Sequence, residues 1–144
     1  MAHLWRGVIR EYAERLPMLE GAPVVTLQEG GTPLIPCEGL SELTGANVFV
    51  KFEGLNPTAS FKDRGMTTAM SMAKKHGAKA VICASTGNTS ASAAAYATKA
   101  GMTCAVLVPD GKISTAKLRQ AVAHGATPVQ AEGTCDARLT AARK

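Results

Sequence analysis

Three glycines frame this chain: Gly77, Gly101 and Gly125 fall at an interval of 24 residues. Each closes an alanine-rich amphipathic stretch and precedes a short run of strand-forming residues: Ala80 to Ala84, Thr103 to Val108 and Thr127 to Ala131. A glycine just past a helix supplies the left-handed conformation that ends it. An interval of 24 residues accommodates one strand, one helix and two short loops. A further candidate strand, Asn47 to Phe52, precedes a helix predicted over 61–76. The pattern reads βαβαβαβ followed by the start of another helix. It predicts an α/β fold, an open parallel sheet with flanking helices. The segments between the glycines are too dissimilar to be a sequence repeat, so the unit is structural. Composition agrees: 25 residues are alanine and only 4% are aromatic, which suits helices packed closely on a sheet.

With 144 residues, 46% apolar and 19% charged, the chain can bury one sizeable core and is not expected to be disordered. No apolar run approaches the length of a membrane span. The opening MAHLWRGVIREYAERLP lacks a signal-peptide core, so a cytoplasmic protein without a membrane partner is expected. Cys37, Cys83, Cys104 and Cys135 form no CxxC pair and stand apart from His3, His76 and His124. That argues for a reducing compartment and against a metal site. Charge is uneven: six basic against eight acidic side chains up to Met72, then ten against three. The later lysines are dispersed and carry no interleaved aromatics. They read as solvated helix faces, with no nucleic-acid partner. The first 45 residues hold a short candidate helix over 7–16 and then PVVTLQEGGTPLIPCEGL, whose glycines and prolines predict extended segments and turns.

Chemistry concentrates in two places. In NPTASFKDRG, Asn56 to Gly65, Ser60 and Asp63 have the spacing of a helix N-terminal cap. Lys62 then falls in the first turn, where the helix dipole disfavours a cation. If also desolvated, its amine is expected to lose its proton more readily and become a nucleophile. The alternative is a surface lysine paired locally with Asp63. In CASTGNTSASAAAYA, Cys83 to Ala97, a buried strand gives way to Ser85, Thr86, Gly87, Asn88 and Thr89 and then to an alanine-rich helix. Four hydroxyls and an asparagine around one glycine exceed what a cap needs. At a helix start beyond a strand's carboxyl end they can hold an anion. The loop is neither a Walker loop nor a GxGxxG fingerprint. An activated lysine beside an anion loop suits Schiff-base chemistry on an amino acid: a carbonyl cofactor takes the amine and a carboxylate takes the loop.

SFKDRG followed by ASTGNTSAS resembles the fold-type II pyridoxal-phosphate enzymes. Within them, LNPTASFKDRGMTTAM, CASTGNTSASAAAYA and GKISTAKLRQAVAHGA are similar in order and spacing to the N-terminal part of the threonine synthases. The likeness covers nearly the whole chain from about EGGTPL onward. Threonine dehydratases and serine racemases usually carry GNH where this chain has Gly87, Asn88 and Thr89, and cysteine synthases tend to carry SVKDR for its SFKDR. The resemblance implies that Lys62 holds pyridoxal 5'-phosphate as a Schiff base and moves protons once released. It implies that Asn88 hydrogen-bonds the phenolic oxygen of the cofactor ring and that Phe61 packs on one ring face. Ser85, Thr86, Gly87 and Thr89, with nearby backbone N–H groups, are implied to bind the substrate carboxylate or phosphate. The implied reaction converts O-phospho-L-homoserine and water to L-threonine and phosphate, in a homodimer. On this reading the basic half is expected around a phosphate site.

Two departures accompany the resemblance. Ala59 stands where the family usually has glycine; if that position has positive φ, alanine costs ~1 kcal/mol. The family's glycine-rich phosphate cradle and the hydroxyl facing the pyridine nitrogen come later, beyond Lys144. The chain is therefore expected to be the N-terminal piece of a longer enzyme, stopping inside the unfinished helix TCDARLTAARK. Residues 1–55 are expected to belong to a larger domain and residues 56–144 to a smaller α/β domain carrying the lysine. The alternatives are a threonine or serine dehydratase of the same fold, and a non-catalytic, truncated anion-binding module.

Overall fold

The computed structural model describes residues 3–109 and 115–131. Its organising element is a three-stranded parallel sheet, β3 (Ala80–Cys83), β4 (Thr103–Pro109) and β5 (Thr127–Ala131), in spatial order β3-β4-β5. Val81 is opposite Cys104 in the first ladder, and Leu107 is opposite Val129 in the second. Three helices accompany it: α3 (Lys62–Lys75), α4 (Asn88–Ala100) and α5 (Thr115–Ala123). The 24-residue interval is the period of this strand–helix unit. Gly77, Gly101 and Gly125 all have positive φ. At Gly101 the chain turns back so that its N–H bonds Thr98 O and the next N–H bonds Ala97 O. That double bond satisfies carbonyls the helix end would leave orphaned.

The core is built mostly from α4 and β4. Alternate residues of β4, namely Cys104, Val106 and Val108, are buried, as the period of two requires. Every residue of α4 from Ser90 to Ala97 is buried. A helix buried all round must have small side chains where neighbours approach closely, and Ala91, Ala93, Ala94, Ala95 and Ala97 meet that need. Among the described residues, no helix is long and apolar enough to cross a membrane.

The N-terminal part corrects three expectations. The strand expected at Asn47–Phe52 forms as β2 (Phe49–Lys51), but outside the parallel sheet. It pairs antiparallel with β1 (Leu34–Pro36), Ile35 opposite Val50. A short connection through α2 (Glu38–Thr44) brings this partner closer along the chain than β3 is, so pairing costs less loop closure. The helix α2 begins at Glu38, within the last residues of the stretch read as extended segments and turns, and Gly45, with φ 70°, ends it. The helix expected over 7–16 shrinks to α1 (Val8–Glu11), which ends where Tyr12 leaves the helical conformation at φ −121°, and two 3-10 turns, Ala13–Arg15 and Pro17–Leu19. The predicted helix at 61–76 forms over 62–75. Cys135, residues 111–114 and the expected helix after β5 lie outside the described residues.

The N-terminal segment is tied to the helices by buried polar groups. Thr67 Oγ1 donates to Val25 O at 2.7 Å, and Val25 N–H donates to Ser71 Oγ at 2.9 Å. Glu29, fully buried, accepts from the N–H groups of Val8 and Leu27, from Thr26 Oγ1 and from Tyr96 OH at 2.7 Å. A buried carboxylate is tolerable only with such a donor set. Burial pushes the Tyr96 phenol well above its ordinary range, and the bond to Glu29 reinforces that, so the phenol stays a donor.

Candidate active site

In a parallel sheet the helices run back, so their N-termini gather at the carboxyl ends of the strands. Here that end receives the first turn of α3 with Lys62 and the loop from Ala84 to Gly87 that leads into α4. Both candidate motifs thus lie at one edge of the sheet.

The turn before α3 is almost wholly satisfied internally. Asn56, Thr58 and Ser60 are buried, whereas Ala59 and Phe61 are exposed. Asn56 Oδ1 accepts from Gly30 N–H at 2.9 Å, and its Nδ2 donates to Glu53. Ser60 Oγ accepts the Lys62 N–H at 3.2 Å, although the cap position itself is taken by Phe61. Asp63 does not complete the cap. Its carboxylate turns inward and is fully buried, accepting Thr58 N–H at 2.7 Å, Thr58 Oγ1 at 2.5 Å and Ser92 Oγ at 2.6 Å. Ser92 belongs to α4, so this carboxylate joins the starts of the two helices. Ala59 has φ 58°, the left-handed conformation that its place in the motif raised as a condition.

The inward turn of Asp63 removes the local partner that a surface lysine would have used. Among the described residues Lys62 Nζ has no hydrogen bond or ion pair; it sits 4.7 Å from the centre of the Phe61 ring. The amine is half-buried and fixed at its backbone but free at its tip. Phe61 is 56% exposed, with its ring available to a flat ligand.

The second loop is different. Ser85 Oγ accepts Gly87 N–H at 3.2 Å, and Ser90 Oγ donates to Gly87 O at 2.7 Å, which shapes the turn. No side chain caps α4. Among the described residues the side chains of Thr86, Asn88 and Thr89 make no hydrogen bonds, although all are half-buried. Among the described residues, a Cβ added at Gly87 meets only Ser85 Oγ, at 4.0 Å. Burial pushes the Cys83 thiol at the strand end upward, and the Cys104 thiol up to about 11, so both stay protonated small hydrophobes at neutral pH.

Of the ten basic side chains expected around a phosphate site, Lys117 and Arg119 lie in the first half of α5, Lys112, Arg138, Arg143 and Lys144 lie outside the described residues, and four others stand away from the two motifs. Lys74 and Lys75 are in the last turn of α3, Lys99 is in the last turn of α4, and Lys79 precedes β3. All lie at the opposite end of the sheet, where lysines complement the helix dipoles. Lys75 Nζ donates to Glu20 O. The cation nearest the lysine turn in sequence, Arg64, is structural. It donates to Glu53 at 2.7 Å and to Gly30 O at 3.0 Å. The hydrogen bond from Arg64 holds the Glu53 carboxyl down at about 2.

Sequence reasoning missed the Asp63–Ser92 and Glu29–Tyr96 bonds, whose partners are 29 and 67 residues apart. One signal was available for the second. Tyr96 is the only large polar-tipped side chain in an alanine run, and a buried phenol requires a partner.

A lysine amine without a hydrogen bond or ion pair among the described residues, with an aromatic ring beside it and a loop of unpaired hydroxyl and amide groups at the same end of the sheet, has the chemistry that a carbonyl cofactor requires. The chain belongs to the pyridoxal-phosphate dependent enzyme family, whose model matches residues 25–144. It is 60% identical over 140 residues to the threonine synthase of Mycobacterium tuberculosis strain H37Rv, covering 97% of this chain and 39% of that protein. It is 53% identical over 139 residues to the threonine synthase of Halalkalibacterium halodurans, covering 96% and 39%. The fold is similar to the processed form of threonine deaminase isoform 2 from Solanum lycopersicum, with a TM-score of 0.73 and 27% identity over 94% of this chain and 37% of that one. The chain spans about two fifths of the length of the curated relatives it matches. The donor set suits the family's cofactor: a primary amine, an aromatic face, a side-chain amide and an uncapped helix start.

Proposed function

We propose that the whole protein is a threonine synthase, converting O-phospho-L-homoserine and water to L-threonine and phosphate. The observation that carries this reading is a Lys62 amine without hydrogen bond or ion pair among the described residues, at the same end of the sheet as a loop of unpaired hydroxyl and amide groups, in a chain 60% identical to a threonine synthase. Pyridoxal phosphate, when bound, supplies an electron sink for carbanion chemistry. Lys62 is the residue that holds it and that then carries protons at Nζ. Phe61 offers a ring face, and Asn88 its amide for the cofactor's phenolic oxygen. Ser85, Thr86 and Thr89, with Gly87 giving room and the start of α4 giving N–H groups, bind and orient the substrate carboxylate or phosphate.

Residues 1–55 are proposed to belong to a larger domain and residues 56–144 to a smaller one bearing the lysine. In support, β1 and β2 form a sheet of their own, and Leu34, Phe49 and Leu55 are all more than half exposed. A two-stranded sheet needs further packing to persist. We place the protein in the cytoplasm as a homodimer acting on a small molecule, without nucleic acid or membrane. A second reading, a threonine or serine dehydratase, draws on the likeness to threonine deaminase.

The full-length protein is given O-phosphohomoserine and, separately, threonine. Phosphate released with threonine formation from the first is the expected result; 2-oxobutyrate from the second alone sinks the synthase reading. Adding pyridoxal phosphate, reducing with borohydride and mapping the mass shift tests the site itself. No adduct at Lys62 returns the protein to a non-catalytic anion-binding module.

A further inference from the structure

Asp63 is the residue after the proposed cofactor lysine, and its carboxylate is buried where no ligand or solvent reaches it. Its three donors come from two directions. Thr58 N–H and Thr58 Oγ1 reach it from the turn leading into α3, and Ser92 Oγ reaches it from α4. Asn88 and Ser92 are four residues apart on α4, so they share one helix face. The Ser92 bond to α3 therefore sits one turn below Asn88 and directly beside Lys62. Lys62 and Asn88, two of the side chains assigned to the cofactor, are unpaired among the described residues, whereas Asp63 and Ser92, one residue and one turn away from them, are bonded to each other.

We infer that Asp63 and Ser92 are a positioning pair that fixes the separation of Lys62 and Asn88 across the site, an inference that rests on reading Lys62 as the cofactor lysine. Among the described residues Lys62 Nζ has no hydrogen bond or ion pair and lies over the Phe61 ring, so its reach is set by its backbone. That backbone is held by Ser60 on one side and by the Asp63 carboxylate on the other. Without the pin, α3 and α4 still pack through apolar contacts, but their starts can slide relative to each other. A displacement of about 1 Å is enough to cost catalysis up to a hundredfold.

The test uses the full-length protein loaded with pyridoxal phosphate, comparing Ser92→Ala with wild type. Three readouts are taken: the borohydride-reducible mass adduct at Lys62, the pH midpoint of the bound cofactor's visible absorption, and steady-state kinetics with whichever of O-phosphohomoserine and threonine the wild type turns over. The expected result is a retained adduct, a displaced pH midpoint, and kcat lowered about tenfold with KM changed less than about threefold. A lower melting temperature with the midpoint and kcat of wild type makes the pair merely structural and overturns the inference. Absence of an adduct in the wild type overturns the site reading, and this pair with it. Should Ser92→Ala not fold, Thr58→Val removes the other hydroxyl on the same carboxylate at nearly constant volume and is held to the same criteria.

Discussion

The turn before Lys62 and the turn before Asn88 have similar composition and opposite physics. Asn56, Thr58 and Ser60 spend their polar groups on the protein itself, and the turn they form is buried and closed. Thr86, Asn88 and Thr89 make no hydrogen bonds among the described residues and remain half-buried. Burying a polar group unpaired is costly, so a chain keeps such groups where something else completes them. One turn is closed on itself, and the other keeps polar groups that the proposed ligand would complete.

Five experiments break or sharpen that contrast, and the largest effect comes at the residue between the two turns. Lys62→Ala abolishes the borohydride-trapped adduct and turnover. Its tip has no bond to lose, so unfolding free energy changes by less than about 0.5 kcal/mol in a denaturant titration. Asp63→Asn acts oppositely, because three buried donors lose their charged acceptor: a stability loss of about 2 kcal/mol is expected from the same titration. Glu53 makes the first turn acid-sensitive. With its folded pKa held at about 2 by Arg64, against an ordinary value of 4.5, its contribution is full above pH 4.5 and drains away as pH falls toward 2. Glu53→Gln should flatten the fall of stability with acidity across that window. Ala59→Gly relieves a left-handed alanine at φ 58° while adding unfolded-state entropy, for a net gain of about 0.5 kcal/mol read from the melting temperature. The smallest structural effect belongs to the open turn: Thr89→Val shifts stability by less than about 0.5 kcal/mol, yet raises KM for the anionic substrate. Equal stability losses at Thr89 and Asp63 would erase the distinction between the turns.

What the residues disclose locally was legible in advance. The positive-φ glycines, the helix from Lys62 and the strand–loop–helix around Gly87 all follow from nearest-neighbour rules, and the structure has them. The strand at Phe49–Lys51 was visible as a strand but not as a partner of Leu34–Pro36, because pairing depends on which segment lies nearer in space. Asp63 shows the same limit more sharply. Its spacing from Ser60 is that of a cap, but Ser92 and Thr58 outbid the local N–H once α4 packs on α3. The basic excess was visible as a number, while the placing of Lys74, Lys75 and Lys99 at helix C-termini required the topology.

The alanines of α4 carry one more consequence. An alanine has no side-chain rotamers, so the run from Ala91 to Ala97 has almost no conformational freedom left to freeze around Ser92 and Tyr96. Beneath the open turn, the floor of the site is ordered before anything binds. The proposed ligand would then have only a few loop groups and one lysine tip to order, and most of its interaction energy would remain available as affinity.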